Sequence, residues 1–233
     1  MAEALRVGIA GLGTVGASVA RVLTEKAAEL TRQCGRPILV AAVSARSKRK
    51  NRGVDLSSAK WFDDPVKLAQ QADIDVFVEL IGGDEGPARA SVKAALGAGR
   101  HVVTANKALL SKHGVALAEI AEKKGVLLNY EAAVAGGIPV IKTMREAMAG
   151  NSVSRVFGIL NGTCNYILTR MEAEGLTFDA CLKDAQRLGY AEADPSFDIE
   201  GHDTAHKLAL LTAIAFGTEI GRASCRERVF RVV

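Results

Sequence analysis

Leu5-Arg-Val-Gly-Ile-Ala-Gly-Leu-Gly-Thr-Val-Gly16 is the stretch on which the fold turns. Leu5 to Ala10 is a short β-rich run, Gly11-Leu-Gly13-Thr-Val-Gly16 follows without a gap, and a helical pattern continues through Val19, Val22, Leu23 and Leu30. Strand, glycine turn and helix in that order open a dinucleotide-binding βαβ unit. Gly11 permits the tight turn, Gly13 lets the backbone approach a pyrophosphate, and Gly16 lets helix and strand pack closely, with the phosphate at the helix N-terminus. The spacing alone would also suit a purely structural turn. Its place directly after a strand and before a helix favours cofactor binding.

Working outward, Ile38 to Val43 reads as the second strand and ends in Ser44-Ala-Arg46-Ser-Lys48-Arg49-Lys50. An NAD enzyme usually places a carboxylate there for the ribose 2′-hydroxyl. Here guanidinium and ammonium groups stand instead, which suits a 2′-phosphate and therefore NADP, with Arg46 first and Lys48 second as its contacts. A solvated basic loop is the plainer alternative. Asp75 to Ile81 and His101 to Thr104 read as further strands, separated by a helix from Gly86-Pro87 to Gly97–Gly99, and Val126 to Asn129 as a fifth. The alternation predicts an α/β, Rossmann-type doubly wound parallel sheet over residues 1–133. Thr104-Ala-Asn106-Lys107 falls at the C-terminal end of a strand, the edge where ligands bind in such sheets, which makes Lys107 a site candidate. After the fifth strand, Glu131-Ala-Ala-Val134-Ala-Gly136-Gly137-Ile138-Pro139 could hold a hard cation with backbone carbonyls and one carboxylate, or serve as a hinge.

The chain has 233 residues, 48% of them hydrophobic and 24% charged, enough for two modest domains. Its formal charge of +4 falls to +1 without Gly221–Val233, where four arginines and Glu227 contribute +3, so nucleic-acid binding has little support. No apolar run reaches the length of a membrane span, and Met1 to Arg6 leads straight into a strand without a signal-like region, so a cytoplasmic protein is expected. Cys34, Cys164, Cys181 and Cys225 lack C-x-x-C spacing and read as reduced thiols.

From Pro139 the pattern changes to a helix Val140 to Met148, a strand Val153 to Leu160, and helices Gly162 to Glu174 and Phe178 to Leu188. These predict a smaller α+β domain over 134–220. Gly189 to Leu211, GYAEADPSFDIEGHDTAHKLALL, then concentrates acids, two histidines and a lysine on an apolar helix expected from near Glu200 to Phe216. Asp203 and Lys207 stand four apart, on one helical face, and this lysine–carboxylate pair beside a core marks the chemistry; a surface ion pair is the bland reading. Two sharper alternatives remain open. Cys164 could act as the nucleophile of a thiol-dependent aldehyde dehydrogenase, and His202-Asp-Thr-Ala-His206 resembles the H-E-x-x-H zinc motif.

GLGTVG, TANKALL, YEAAVAGGIPVI, NGTCNYIL and GYAEADPSFDIEGHDTAHKLALL occur in this order. Together they resemble homoserine dehydrogenase over residues 5 to about 220. The resemblance implies interconversion of L-homoserine and L-aspartate 4-semialdehyde with NADP(H) or NAD(H), on the route to threonine, methionine and isoleucine, by a homodimer joined through its second domain. It implies Lys207 as proton donor with Asp203 as partner, and Glu192, Asp198, Gly162 and Thr163 as substrate contacts. Gly13, Thr14, Val15, Lys107 and Gly189 become cofactor contacts, and Glu131 with the carbonyls of Val134, Gly136 and Ile138 a sodium site. Gly221–Val233 departs from the family pattern and reads as foreign sequence after a truncated second domain, which leaves an inactive cofactor-binding fragment as a further alternative.

Overall fold

In the computed structural model, which describes residues 2–218, β1 (Leu5–Ala10) lies inside a six-stranded parallel sheet. The elements that build the sheet are α1 (Thr14–Glu25), α2 (Ala27–Cys34), β2 (Ile38–Ser44), β3 (Lys60–Phe62), α3 (Pro65–Gln71), β4 (Val76–Glu79), α4 (Pro87–Gly97), β5 (His101–Thr104), α5 (Lys107–Lys124), β6 (Leu128–Asn129) and α6 (Glu131–Val134). Strand order is β3-β2-β1-β4-β5-β6. The order reverses between β1 and β4, which opens a crevice at the carboxyl ends of the strands, the place where open α/β sheets take their ligands.

Strands of this sheet are covered on both faces and read as continuous apolar runs. Val7, Ile9, Val43 and Val78 pack with Leu12 and with Ala20 of α1, and Phe77, Leu68, Ile74, Leu96 and Leu109 are fully buried. Each such side chain contributes about 1.5–3 kcal/mol by leaving water. β3 and α3 are among the elements that escape the sequence reading. β3 is only three residues long, too short to show a period, while α3 has a legible start in Asp64-Pro65: the Asp64 carboxylate accepts from Val66 N–H at 2.8 Å and Pro65 opens the first turn.

The chain divides into two compact units, one of Met1–Pro139 and one beginning at Val140. The second contains α7 (Val140–Lys142), a π-helical turn over Thr143–Ala147, α8 (Gly162–Glu174), α9 (Phe178–Arg187), α10 (Ser196–Ile199) and α11 (His202–Phe216). Two expectations are corrected here. The helix expected over Val140–Met148 widens after one turn, with Met148 N–H bonding Thr143 O five residues back. Val153–Leu160 is not a strand: a ladder needs a partner, none is present among the described residues, and Phe157 and Ile159 stand exposed. Over the described residues the second unit is built of helices. The helix expected from near Glu200 starts at His202, where Gly201 takes the left-handed conformation (φ +76°) and separates α10 from α11. The stretch 221–233, with Cys225, lies outside the described residues.

Candidate active site

Asn161 precedes α8 with extended backbone, and its side-chain oxygen accepts from Cys164 N–H at 2.8 Å, the ordinary work of a helix cap. The amide nitrogen of the same side chain donates to Asp198 Oδ1 and to Asp203 Oδ2, both at 2.9 Å. One asparagine thus starts a helix and separates two carboxylates that would otherwise repel. Asp203 lies in the first turn of α11 and is 3% exposed. One helical turn later Lys207 Nζ meets Asp203 Oδ2 at 2.8 Å and donates to Leu160 O at 2.8 Å. An ammonium has three donors, so two are used and one is left for an incoming oxygen. This is no solvated surface pair, since the two side chains are 4% and 19% exposed.

These groups line a cavity of about 470 Å³ together with Gly162, Thr163, Tyr166 and Tyr190. Thr163 Oγ1 donates to Tyr190 O at 2.9 Å, which ties the α8 start to the segment after α9. Tyr166 stacks obliquely on Tyr190, ring centroids 5.0 Å apart, and its hydroxyl donates to Asp184 at 2.8 Å. Arg187 and Tyr166 donate to Asp184 and hold its carboxyl down to about 2, so this wall of the cavity is pinned by a charged group throughout the physiological range. Of the residues expected at the substrate, Asp198, Gly162 and Thr163 line the cavity, whereas the Glu192 side chain is exposed and outside it. Gly189 turns the chain after α9 with φ +80°.

In the first unit the glycine turn follows β1 directly. A Cβ on Gly16 would sit 1.9 Å from Gly11 O, and one on Gly11 would meet Leu80 O at 2.3 Å, whereas Gly13 has nothing within 4 Å. Two glycines therefore close the turn and the third leaves open space above it, which is the shape a pyrophosphate needs. Thr14 and Val15 are exposed at the start of α1, and Arg46 and Lys48 are exposed beyond β2. Lys107 opens α5 behind Asn106, whose side chain accepts from Leu109 N–H at 3.1 Å.

Glu79, at the end of β4, is a group the sequence reading missed. Fully buried, it accepts from Ile81 N–H at 2.7 Å, from Gly82 N–H at 3.1 Å and from Thr104 Oγ1 at 2.6 Å. Thr104 Oγ1 in turn accepts from Asn106 N–H, and Asn106 Nδ2 donates to Gly83 O. The loops after β4 and β5 are knotted together at the ligand edge. An acid ending an apolar strand just before Leu80-Ile-Gly-Gly83 was the available signal.

The homoserine dehydrogenase family pattern matches residues 139–231, and the NAD binding domain of homoserine dehydrogenase matches residues 11–131. This chain belongs to the homoserine dehydrogenase family. It is 47% identical over 221 residues to a homoserine dehydrogenase of Neisseria gonorrhoeae, covering 95% of this chain and 50% of that one. With that of Pseudomonas aeruginosa it shares 50% over 213 residues, covering 91% and 48%. The chain thus spans about half the length of these relatives. Among solved structures it is similar to a homoserine dehydrogenase from Thiobacillus denitrificans (TM-score 0.84, 47% identity, 95% and 51% covered). It is also similar to a hyperthermophilic archaeal homoserine dehydrogenase in complex with NADPH (TM-score 0.81, 29% identity, 93% and 71% covered).

Membership in this family, and the geometry, leave the two sharper alternatives unsupported. Burial, then the charges of Asp198 and Asp203, push the Cys164 thiol up, away from the thiolate a nucleophile needs, and its Sγ donates to Asp198 O at 3.3 Å. His202 pairs with Glu200 at 3.1 Å and His206 packs edge-on against Phe197, centroids 5.5 Å apart. No three His, Cys, Asp or Glu side chains among the described residues group as a metal site. Cys164→Ser is expected to keep kcat within about threefold, since a hydroxyl can donate to the same carbonyl; loss of turnover in a folded variant would return the thiol to the chemistry.

Proposed function

We propose that this homoserine dehydrogenase chain interconverts L-homoserine and L-aspartate 4-semialdehyde, with NADP(H) preferred over NAD(H). The observation that carries the reading is the buried Lys207–Asp203 pair, further held by Leu160 O, on the wall of a cavity sized for a small amino acid. The bound cofactor supplies the hydride for reduction of the aldehyde. Lys207, with one donor directed away from Asp203 and Leu160, gives its proton to the carbonyl oxygen, and in the reverse direction takes the proton of the alcohol. Asp203 keeps the ammonium in place. Asp198 is assigned the substrate ammonium, Gly162 and Thr163 the substrate at the α8 start, and Glu192 a supporting acid on the family resemblance alone. Lys107, Thr14, Val15 and Gly189 belong to the cofactor in the same reading.

A sodium ion, a homodimer, a cytoplasmic location and a role in making threonine, methionine and isoleucine complete the proposal. For sodium the residues fit. Glu131 and the carbonyls of Val134, Gly136 and Ile138 fall within eight residues in sequence, one carboxylate and three backbone oxygens of the kind a hard cation takes. No helix among the described residues is long and apolar enough to cross a membrane.

The reaction is tested by following NADPH absorbance with L-aspartate 4-semialdehyde: substrate-dependent loss supports the reading, and cofactor binding without turnover sinks it. NADP preference is tested through Arg46, the first basic residue past β2, where the comparable NAD position carries an acid. Arg46→Asp should weaken NADPH at least about tenfold and leave NADH less affected. Identical preferences in variant and wild type would remove Arg46 from the assignment.

A further inference from the structure

We propose that Arg52 is a positioning residue for cofactor choice, holding the basic loop after β2 in register with the glycine turn. The inference rests on the NADP reading above and deepens it. Arg52 is half-buried and sits among exposed cations, Arg46, Lys48, Arg49 and Lys50, yet it does not point to solvent with them. Its Nε donates to Leu12 O at 3.2 Å, inside the glycine turn, while Nη1 donates to Lys50 O at 2.8 Å and Nη2 to Ser47 O at 2.5 Å. The guanidinium carbon lies 5.6 Å from the centre of the Trp61 ring on β3, and Arg21 of α1 donates to Arg52 O at 3.4 Å.

One planar fork therefore joins two loops that follow neighbouring strands and emerge at the same edge of the sheet. A lysine does not reproduce this, because the three acceptors are met by separate nitrogens of one flat guanidinium, whereas an ammonium carries its three donors on a single atom. The loop it closes is the one carrying Arg46 and Lys48. Four cations within five residues repel one another, and without an internal tie they would spread into water. Arg52 gathers the loop's carbonyls instead, which leaves the neighbouring side chains directed outward toward a 2′-phosphate while the Leu12 contact sets their distance from the pyrophosphate turn. Preorganised charge binds more tightly than charge that must first be ordered.

The test is titration of the 233-residue chain with NADPH and with NADH, in wild type, Arg52→Gln and Arg52→Lys, with thermal unfolding alongside. Wild type is expected to prefer NADPH. Both variants should lose at least about tenfold in NADPH affinity but less than about threefold in NADH affinity, because only the 2′-phosphate reads the loop. A role confined to stability would lower the melting temperature and weaken both cofactors alike, and that result overturns the proposal. A wild-type preference kept intact in a folded Arg52→Lys, or in Arg52→Gln, overturns the role of Arg52 while leaving the NADP reading standing. A wild type that binds the two cofactors equally overturns the NADP reading, and this inference with it.

Discussion

Lys207→Ala is expected to lower kcat for semialdehyde reduction by about 10² to 10⁴, the usual cost of removing a general acid, with NADPH affinity little changed. The size follows from position. Lys207 lines the cavity, and two of its donors are committed to Asp203 and Leu160, so its orientation is set before substrate arrives. Cofactor affinity should hold because the glycine turn belongs to the other unit and has its own packing. The substitution also leaves Asp203 buried, sharing the Asn161 amide with Asp198 but without its lysine, and breaking a buried pair costs about 3–5 kcal/mol. Unfolding must therefore be measured with turnover. A variant that stays folded and turns over normally would take the proton from Lys207 and leave the pair a structural feature.

Gly16→Ala is expected to destabilise the first unit by more than about 3 kcal/mol, beyond the common range for overpacking, because the added methyl meets main chain and not a movable side chain. The collision is with Gly11 O at 1.9 Å, and Gly11 cannot retreat, since its own position is set against Leu80 O. Gly13→Ala makes the contrast. With ordinary backbone (φ −74°) and nothing within 4 Å of its Cβ, it should leave the urea midpoint within about 0.5 kcal/mol of wild type and still weaken NADPH, because the methyl would fill the space a pyrophosphate occupies. Equal stability of Gly16→Ala and wild type, or unchanged NADPH binding in Gly13→Ala, would mean that the turn is not shaped as described.

What could be read in advance divides along the range of the forces involved. β1, the glycine turn and α1 are contiguous, so their spacing states their geometry, and the buried parallel strands announce themselves as apolar runs such as Val76–Glu79. The Asp203–Lys207 pair was equally visible, being a one-turn relation on a single helix. Asn161 directly precedes the helix expected from Gly162, but its second role spans 37 and 42 residues to Asp198 and Asp203, which no local pattern reveals. Glu79 and Thr104, 25 apart, meet for the same kind of reason. Val153–Leu160 misleads in the other direction: its apolar and β-branched content is that of a strand, and pairing, which composition does not supply, is what it lacks. Glu192 shares a short acidic segment with Asp198, yet the turn at Asp194–Pro195 sends one side chain outward and brings the other to the cavity.

Direct hydride transfer to the aldehyde carbon, with the proton given by Lys207, is the mechanism proposed for this chain. It is tested most directly by incubating the chain with L-aspartate 4-semialdehyde and NADPH deuterated at the transferring position of nicotinamide C4, and reading the product by mass and NMR. L-homoserine carrying one deuterium at C4 is expected. Recovery of unlabelled homoserine, of an oxidised or thiol-bound product on Cys164, or of unchanged NADPH would contradict it.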